Sequence, residues 1–141
     1  MDRAVVWKDT STVGFKVLFV LIVLAHNRRK VVHFNGTAHP TAQWTAQQVL
    51  TAPRSPWQNA AAERVIGSIR RDCLDQVMVF NEGHLRRLLT RDFHYNHRWR
   101  THLSLAMDCP DARPVHPPEQ GAVVAFPEVG GLHHHYERMA A

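Results

Sequence analysis

The sequence predicts a mixed α/β fold, and three segments carry that prediction. Phe15–Ala25 is β-branched, aromatic or aliphatic at almost every position, which is typical of a strand covered on both faces. Residues 60–74 and 81–95 each repeat apolar side chains at the i, i+3, i+4 spacing of a helix that buries one face. The chain of 141 residues is long enough for one such domain but short for two.

The N-terminal part is expected to form a β-hairpin. The strand Phe15–Ala25 is followed by a polar, basic turn and then by a shorter strand, Lys30–Phe34. Asn35 and Gly36 are expected to form a second turn, because this dipeptide favours tight turns. The first fourteen residues show no clear period.

A short helix and two longer ones follow. Thr41 is a suitable N-cap for a helix of about eight residues. Residues 49–51 then favour a strand again, so the join near residues 48–49 is abrupt. The helix 60–74 has Asn59 as its natural N-cap. The inward-facing side chains of the two long helices are expected to be Ala62, Val65, Ile66, Ile69 and Cys73, then Leu85, Leu88, Leu89 and Phe93.

The C-terminal residues 109–141 are expected to form an extended tail, because five prolines lie between residues 110 and 127. His133, His134 and His135 are consecutive in this tail. Neighbouring side chains in a strand or a helix point in different directions, so three adjacent histidines make a poor tetrahedral metal site. They are therefore expected to have a structural role or to belong to the tail.

The charge balance is compatible with a polyanionic partner. Lys and Arg number 17 against 12 for Asp and Glu, which gives a formal net charge of +5.

Cys73 and Cys109 fit no zinc or disulfide spacing, so a reduced, cytoplasmic protein is expected. The longest apolar run, Val17–Ala25, is far shorter than the roughly 20 residues that cross a bilayer. It has the length of a signal-peptide core, but Asp2 and Asp9 precede it and no small-residue cleavage site follows it.

Several segments then form an ordered set. They read TAPRSPWQN at 51–59, ER at 63–64, GSIRRDCLD at 67–75, YNHR at 95–98 and THLSL at 101–105. This set resembles the integrase catalytic core of bacterial insertion-sequence transposases and retroviral-type integrases. The resemblance implies a partial ribonuclease-H-like core over residues 1–108, a Pro-rich tail over 109–141, and a DNA-integration protein of a bacterial mobile element.

Glu63 has two interpretations. As a carboxylate near a helix start, it would be stabilised by the helix dipole. The resemblance implies instead that Glu63 is the family's catalytic, metal-binding glutamate, which acts with two aspartates on two Mg²⁺ ions. However, the sequence has no Asp or Glu from Thr10 to Ala62. We therefore predict an internal loss near residues 48–49, no productive Mg²⁺ binding, and an inactive polynucleotidyl transferase.

The resemblance also favours non-specific, salt-dependent DNA contact through basic side chains, although solvated helix faces would explain the same residues. The expected DNA-binding residues are Arg28, Arg29, Lys30, Arg64, Arg70, Arg71, Arg98 and Arg100. Two alternatives to an inactive DNA-integration protein remain open, and they do not exclude each other. One is a small basic nucleic-acid-binding module, and the other is an inhibitor that pairs with intact transposase. A homo-oligomer is a further expectation, and no membrane partner is expected.

Overall fold

The computed structural model describes residues 3–25, 30–48 and 56–140, and it divides into two compact units, 1–89 and 90–141. The described residues form five strands in two sheets and three α-helices, so the predicted mixed α/β class is confirmed. The expected boundary between core and tail at residues 108–109 stays a prediction, since the two compact units divide elsewhere.

The first unit contains an antiparallel sheet in the order β1-β2-β3, formed by β1 (Arg3–Ser11), β2 (Val17–Ala25) and β3 (Lys30–Thr37). Its central strand, β2, is buried at Leu18 and from Val20 to Ala25. The prediction of a covered strand is therefore confirmed, as is its hairpin pairing with β3. The turn that joins these two strands lies outside the described residues.

β1 was not predicted, because charged and apolar residues do not alternate cleanly along Arg3–Ser11. The strand is instead fixed by pairing with β2 along its whole length, from Arg3 opposite Ala25 to Ser11 opposite Val17. The connecting loop closes where the Thr12 N–H donates to the Lys16 carbonyl over 2.8 Å. β2 accordingly begins at Val17, two residues later than expected.

The expectation of a turn at Asn35-Gly36 is wrong. Both residues lie within β3, opposite Leu21 and Val20 of β2. Local turn preference is overridden here because the ladder with the buried strand continues to Thr37. The Asn35 carboxamide oxygen accepts hydrogen bonds from the Gly36 N–H and from Arg86, each over 2.9 Å.

The first helix, α1 (Ala42–Gln48), begins as predicted. The Trp44 N–H donates to Thr41 Oγ1 over 3.1 Å, which is the expected N-cap hydrogen bond. The strand expected at residues 49–51 lies outside the described residues.

The second helix, α2 (Pro56–Asp72), begins four residues earlier than predicted, so Asn59 lies inside the helix and is not its N-cap. Proline is favoured at the first helical position, where its missing N–H needs no partner and its φ is already helical. Ile66, Ile69 and Cys73 are buried as predicted. α2 packs against β1.

The third helix, α3 (Glu82–Arg98), begins at the capping residue Asn81, whose Oδ1 accepts the His84 N–H over 2.8 Å. Its predicted inward positions, Leu85, Leu88, Leu89 and Phe93, are all buried. Within the first unit, the Glu82 carboxylate accepts the Ala38 N–H, which ties the start of α3 to the segment after β3.

In the second unit, the expectation of an extended tail is wrong over residues 122–139. β4 (Ala122–Glu128) and β5 (His133–Met139) pair as an antiparallel hairpin. Prolines are compatible with this hairpin because both strands of a two-stranded sheet are edges, where a missing N–H is tolerated. Pro127 lies in β4, and Pro118 opens a 3-10 turn just before it. Further 3-10 turns span Leu74–Gln76, Leu103–Leu105 and Val129–Gly131.

The hairpin is held against the end of α3 by stacked rings. His133 stacks on Tyr95 with ring centroids 4.7 Å apart, and His135 stacks on Trp99 at 4.0 Å. Two strand residues advance about 6.6 Å and four helix residues about 6 Å, so the two pairs stay in step. Phe126, opposite His135 in the ladder, also stacks on it at 5.1 Å. We call these five residues the histidine–aromatic stack.

Both stacked histidines also approach carboxylates of the second unit. His135 Nδ1 lies 2.9 Å from a Glu128 oxygen, and His133 Nε2 lies 3.8 Å from the buried Asp92. His134 points the other way and is exposed, as alternation along a strand requires. His133 and His135 therefore have a structural role.

Replacing Gly121 with alanine is expected to open the β4–β5 hairpin. Gly121 has φ +111°, and an added Cβ would lie 2.1 Å from the Met139 carbonyl oxygen. The left-handed backbone and the clash together are expected to cost about 3 kcal/mol or more. Urea unfolding, combined with amide hydrogen exchange over residues 122–139, measures this loss.

Gly131→Ala is the matched control. Gly131 also has positive φ, +90°, but its Cβ would meet open space. Only the backbone penalty of about 1–2 kcal/mol is then expected. Equal losses in the two variants would show that the close approach to Met139 does not hold the hairpin.

Replacing His135 with alanine is expected to destabilise the second unit by about 2 kcal/mol, because the ring loses its stacking on Trp99 and Phe126. The neighbouring His134→Ala is the control, and it should change the free energy of unfolding by less than about 0.5 kcal/mol. Thermal unfolding followed by near-UV circular dichroism compares them. A loss of the same size for His134→Ala would contradict the stack.

Candidate nucleic-acid interface

α2 presents a polar face because its other face is buried. Its inward-facing residues, Ile66, Ile69 and Cys73, are buried. Gly67 and Ser68 are half-buried. Arg64 and Arg71 are exposed and lie seven residues apart, which is two helical turns or about 10.5 Å along the axis. The two guanidinium groups therefore flank the glycine and the serine on one side of the helix.

These residues line one shallow pocket of about 410 Å³, together with Glu63. A Cβ added to Gly67 would meet no atom within 4 Å, so the surface above the helix backbone is open there. The Ser68 hydroxyl and two arginines supply hydrogen-bond donors, and Arg can bind phosphate oxygens with two parallel hydrogen bonds. We call Arg64, Gly67, Ser68 and Arg71 the α2 basic face.

The third predicted arginine of α2, Arg70, is engaged in an ion pair. Its Nε donates to Asp75 Oδ1 over 3.2 Å, and both side chains are about half exposed. Such a surface pair contributes little to stability, but Asp75 offsets the positive charge of Arg70. Arg70 is therefore less suited to bind an anion than its neighbour Arg71.

The remaining predicted DNA-binding residues are spread over other elements. Lys30 is exposed at the start of β3 in the first unit. Arg98 is exposed at the end of α3 and Arg100 is half-buried just after it, both in the second unit. Arg28 and Arg29 lie outside the described residues. Only Arg64, Arg70 and Arg71 are brought together on one element.

Glu63 is exposed on α2, at the edge of the basic face. Because α2 begins at Pro56, Glu63 is not in the first turn, and that turn contains no acidic residue. Stabilisation by the helix dipole falls off within the first turn, so it does not account for this carboxylate. That Glu63 is the family's catalytic glutamate stays a prediction.

The described residues around Glu63 do not fit a two-magnesium site. Mg²⁺ prefers several oxygen ligands in octahedral geometry, with carboxylates supplying negative charge. The other side chains that line this pocket are two arginines and a serine, and the arginines oppose a divalent cation. Within residues 3–25, 30–48 and 56–140, no group of three or more His, Cys, Asp or Glu side chains could hold a metal ion.

The second unit contains a pocket of about 510 Å³ that was not predicted from the sequence. Trp99, Arg113 and Tyr136 are among its lining residues, and none of them was a candidate binding residue. One feature of the sequence could have indicated it. Two histidines two residues apart in a strand have nearly the same spacing as two aromatic residues four apart in a helix. Such matching spacings, at His133 and His135 and at Tyr95 and Trp99, favour a folded C-terminal unit.

Comparison with known proteins supports the family resemblance. Residues 45–110 match the family model described as an integrase core domain. No curated protein and no solved structure shows significant similarity to the chain. Proteins of the matched family generally use Mg²⁺ and bind DNA.

The matched range contains Glu63 and the whole α2 basic face, and it also contains α3. It begins at residue 45, before the join near 48–49, and it does not test the predicted internal loss. In the part of the chain that the structure describes, no helix is both long and apolar enough to span a bilayer. Residues 45–110, which carry Glu63 and the α2 basic face, are thus similar to the integrase core domain family.

Proposed function

We propose that this chain is a transposase-derived protein that binds DNA without sequence preference and does not catalyse strand transfer. The α2 basic face is the observation that carries the proposal. It is an exposed cationic surface within the integrase core segment, and its one carboxylate, Glu63, has only arginines and a serine beside it in the same pocket.

The geometry of the α2 basic face suits a phosphate backbone. Arg64 and Arg71 are about 10.5 Å apart along the helix axis, while each DNA strand carries one phosphate per 3.4 Å of duplex axis. The two arginines can therefore contact phosphates about three steps apart on one strand. Gly67 has no side chain to keep the backbone away, and Ser68 can donate its hydroxyl. None of these contacts reads a base, so the binding is sequence-independent.

The loss of catalysis follows from the ligand count. Phosphoryl transfer by this family needs three carboxylates to hold two metal ions, which activate the nucleophile and stabilise the leaving oxygen. Asp9 is the acid nearest to Glu63 on the N-terminal side, and it is exposed on β1. A single exposed glutamate beside arginines supplies only one of the three carboxylates that the two cations need.

The β1-β2-β3 sheet followed by helices is consistent with a partial ribonuclease-H-like core, and we propose that the segment between α1 and α2 has been shortened near residues 48–49. Pairing with another copy or with an intact transposase, and a cytoplasmic location, stay predictions. Co-purification with a full-length relative would test the pairing.

Removal of Arg64 and Arg71 together is expected to weaken binding to random duplex DNA and to lower its salt dependence. Each lost phosphate contact reduces the slope of log K against log salt by about 0.9, so the double alanine variant should lose about 1.8. Fluorescence anisotropy of a labelled duplex, titrated at several salt concentrations, measures both quantities.

The control is a second double variant, Arg87→Ala with Arg91→Ala. Both of these arginines are exposed on α3, and their loss changes the net charge by the same amount. This variant should keep the slope of the unmodified chain to within about 0.5. If both double variants lowered the slope equally, net charge rather than the α2 basic face would account for binding.

The purified chain is expected to show no nicking or strand transfer with Mg²⁺ or Mn²⁺, and Glu63→Gln should leave this background unchanged. The reason is that turnover requires the carboxylates that Glu63 lacks as partners. Gel analysis of a labelled DNA substrate gives the measurement. Metal-dependent product that disappears in Glu63→Gln would refute the inactive assignment.

A further inference from the structure

We propose that the pocket of the second unit binds an unpaired nucleotide of single-stranded DNA. We call it the hairpin pocket, because β4 and β5 form one of its walls, through Val123 and Tyr136 among others. The choice of DNA as the polymer rests on the proposed function. The pocket itself is independent of the α2 basic face, since all of its lining residues belong to the second unit.

The size of the hairpin pocket suits one nucleotide. Its volume of about 510 Å³ lies within the range of about 300–1,000 Å³ that holds small ligands. A duplex is far wider than such a pocket, whereas a base that is not paired can enter it alone. The pocket therefore selects for single strands or for frayed DNA ends.

Tyr136 supplies a ring on which a base can stack. It follows His135 in β5, so it points away from the histidine–aromatic stack, and it is 60% exposed. Val115 and Met107, exposed by 92% and 61%, line the same pocket and extend its apolar surface. Exposed aromatic rings bind successive bases of single strands by stacking, with little regard to base identity.

Cations on the wall can hold the phosphate. The Arg113 guanidinium lies over the Trp99 ring, 5.9 Å from its centroid, within the range of a cation–π contact. This contact orients Arg113 before a ligand arrives. Arg138 is fixed by donating a hydrogen bond to the Gly121 carbonyl over 3.0 Å, and His116 lies on the same wall.

An acceptor in the pocket can meet the polar edge of a base. Asp108 lines it, and carboxylates accept hydrogen bonds from the amino groups of adenine or cytosine. A free phosphate would make no use of the tyrosine ring. An aromatic ring, two arginines and a carboxylate around one small pocket together match the chemistry of a nucleotide.

The backbone supports the pocket's shape. Ala106 and Met107 both have positive φ, 53° and 66°, in the loop closed by the pairing of His102 with Asp108. Two successive non-glycine residues in the left-handed region cost free energy, and such strain persists where the surroundings impose it. The strained loop places Met107 and Asp108 at the rim of the hairpin pocket.

The test uses a fluorescein-labelled pentamer of deoxyadenosine nucleotides, titrated with the full chain and followed by anisotropy. Tyr136→Ala is expected to raise the Kd at least about tenfold, whereas Tyr136→Phe keeps the ring and should stay within about twofold. Unlabelled dAMP should displace the pentamer at concentrations where inorganic phosphate does not. Tyr136 is mostly exposed, and equal thermal midpoints for the three proteins verify that the variants fold.

Three outcomes would overturn the proposal. The first is a Tyr136→Ala variant that binds the pentamer as tightly as the unmodified chain. The second is displacement by inorganic phosphate as effective as by dAMP, which would show an anion site without base recognition. The third is loss of pentamer binding in the Arg64→Ala/Arg71→Ala variant equal to that in Tyr136→Ala. If the chain bound the pentamer but not the duplex, the proposal for the hairpin pocket would hold and the proposal for the α2 basic face would be wrong.

Discussion

The burial of β2 is the constraint on which the first unit depends. From Leu18 to Ala25 this strand is almost entirely apolar and buried, so it requires cover on both faces and a paired strand along each edge. β1 and β3 take the edges, and the apolar side of α2 turns inward with Ile66 and Ile69. Because the helix buries this face, its period places the remaining residues of α2 on the opposite, outer face. A carboxylate, two arginines, a glycine and a serine therefore lie together on the side of α2 that faces away from the core.

DNA binding and catalysis place different demands on such a surface, so one can persist without the other. Binding to a phosphate backbone depends on the number of cations that displace counterions, and each such contact contributes almost independently of the others. Catalysis depends on several carboxylates that converge within a few ångströms, and the loss of two of them removes the metal site altogether. Loss of acidic residues would also raise the positive potential around Arg64 and Arg71. The internal loss that we propose would therefore end the chemistry of an integrase core and still favour its affinity for polyanions.

The sequence predicted what depends on local spacing. The apolar period of α2 and α3, the cap at Thr41 and the buried strand β2 follow from residues within one element. It failed where distant pairing decides the outcome. β1 has no pattern of its own and exists through its ladder with β2, and Asn35-Gly36 is held in β3 although the dipeptide favours a turn. Prolines suggested an extended tail because their effect is local, whereas the β4–β5 hairpin depends on rings carried by α3.

The two faces of β5 have different surroundings. Alternation along a strand sends His133 and His135 toward α3, where their rings are stacked and largely buried, and it sends Tyr136 to the opposite face. A shift of one residue in the pairing of β4 with β5 would exchange these roles, burying the tyrosine and exposing the histidines. The same pairing of β4 with β5 therefore stacks the histidines on α3 and exposes the Tyr136 ring in the hairpin pocket. Trp99 contacts both groups of residues, because its ring stacks on His135 and also lies under the Arg113 guanidinium.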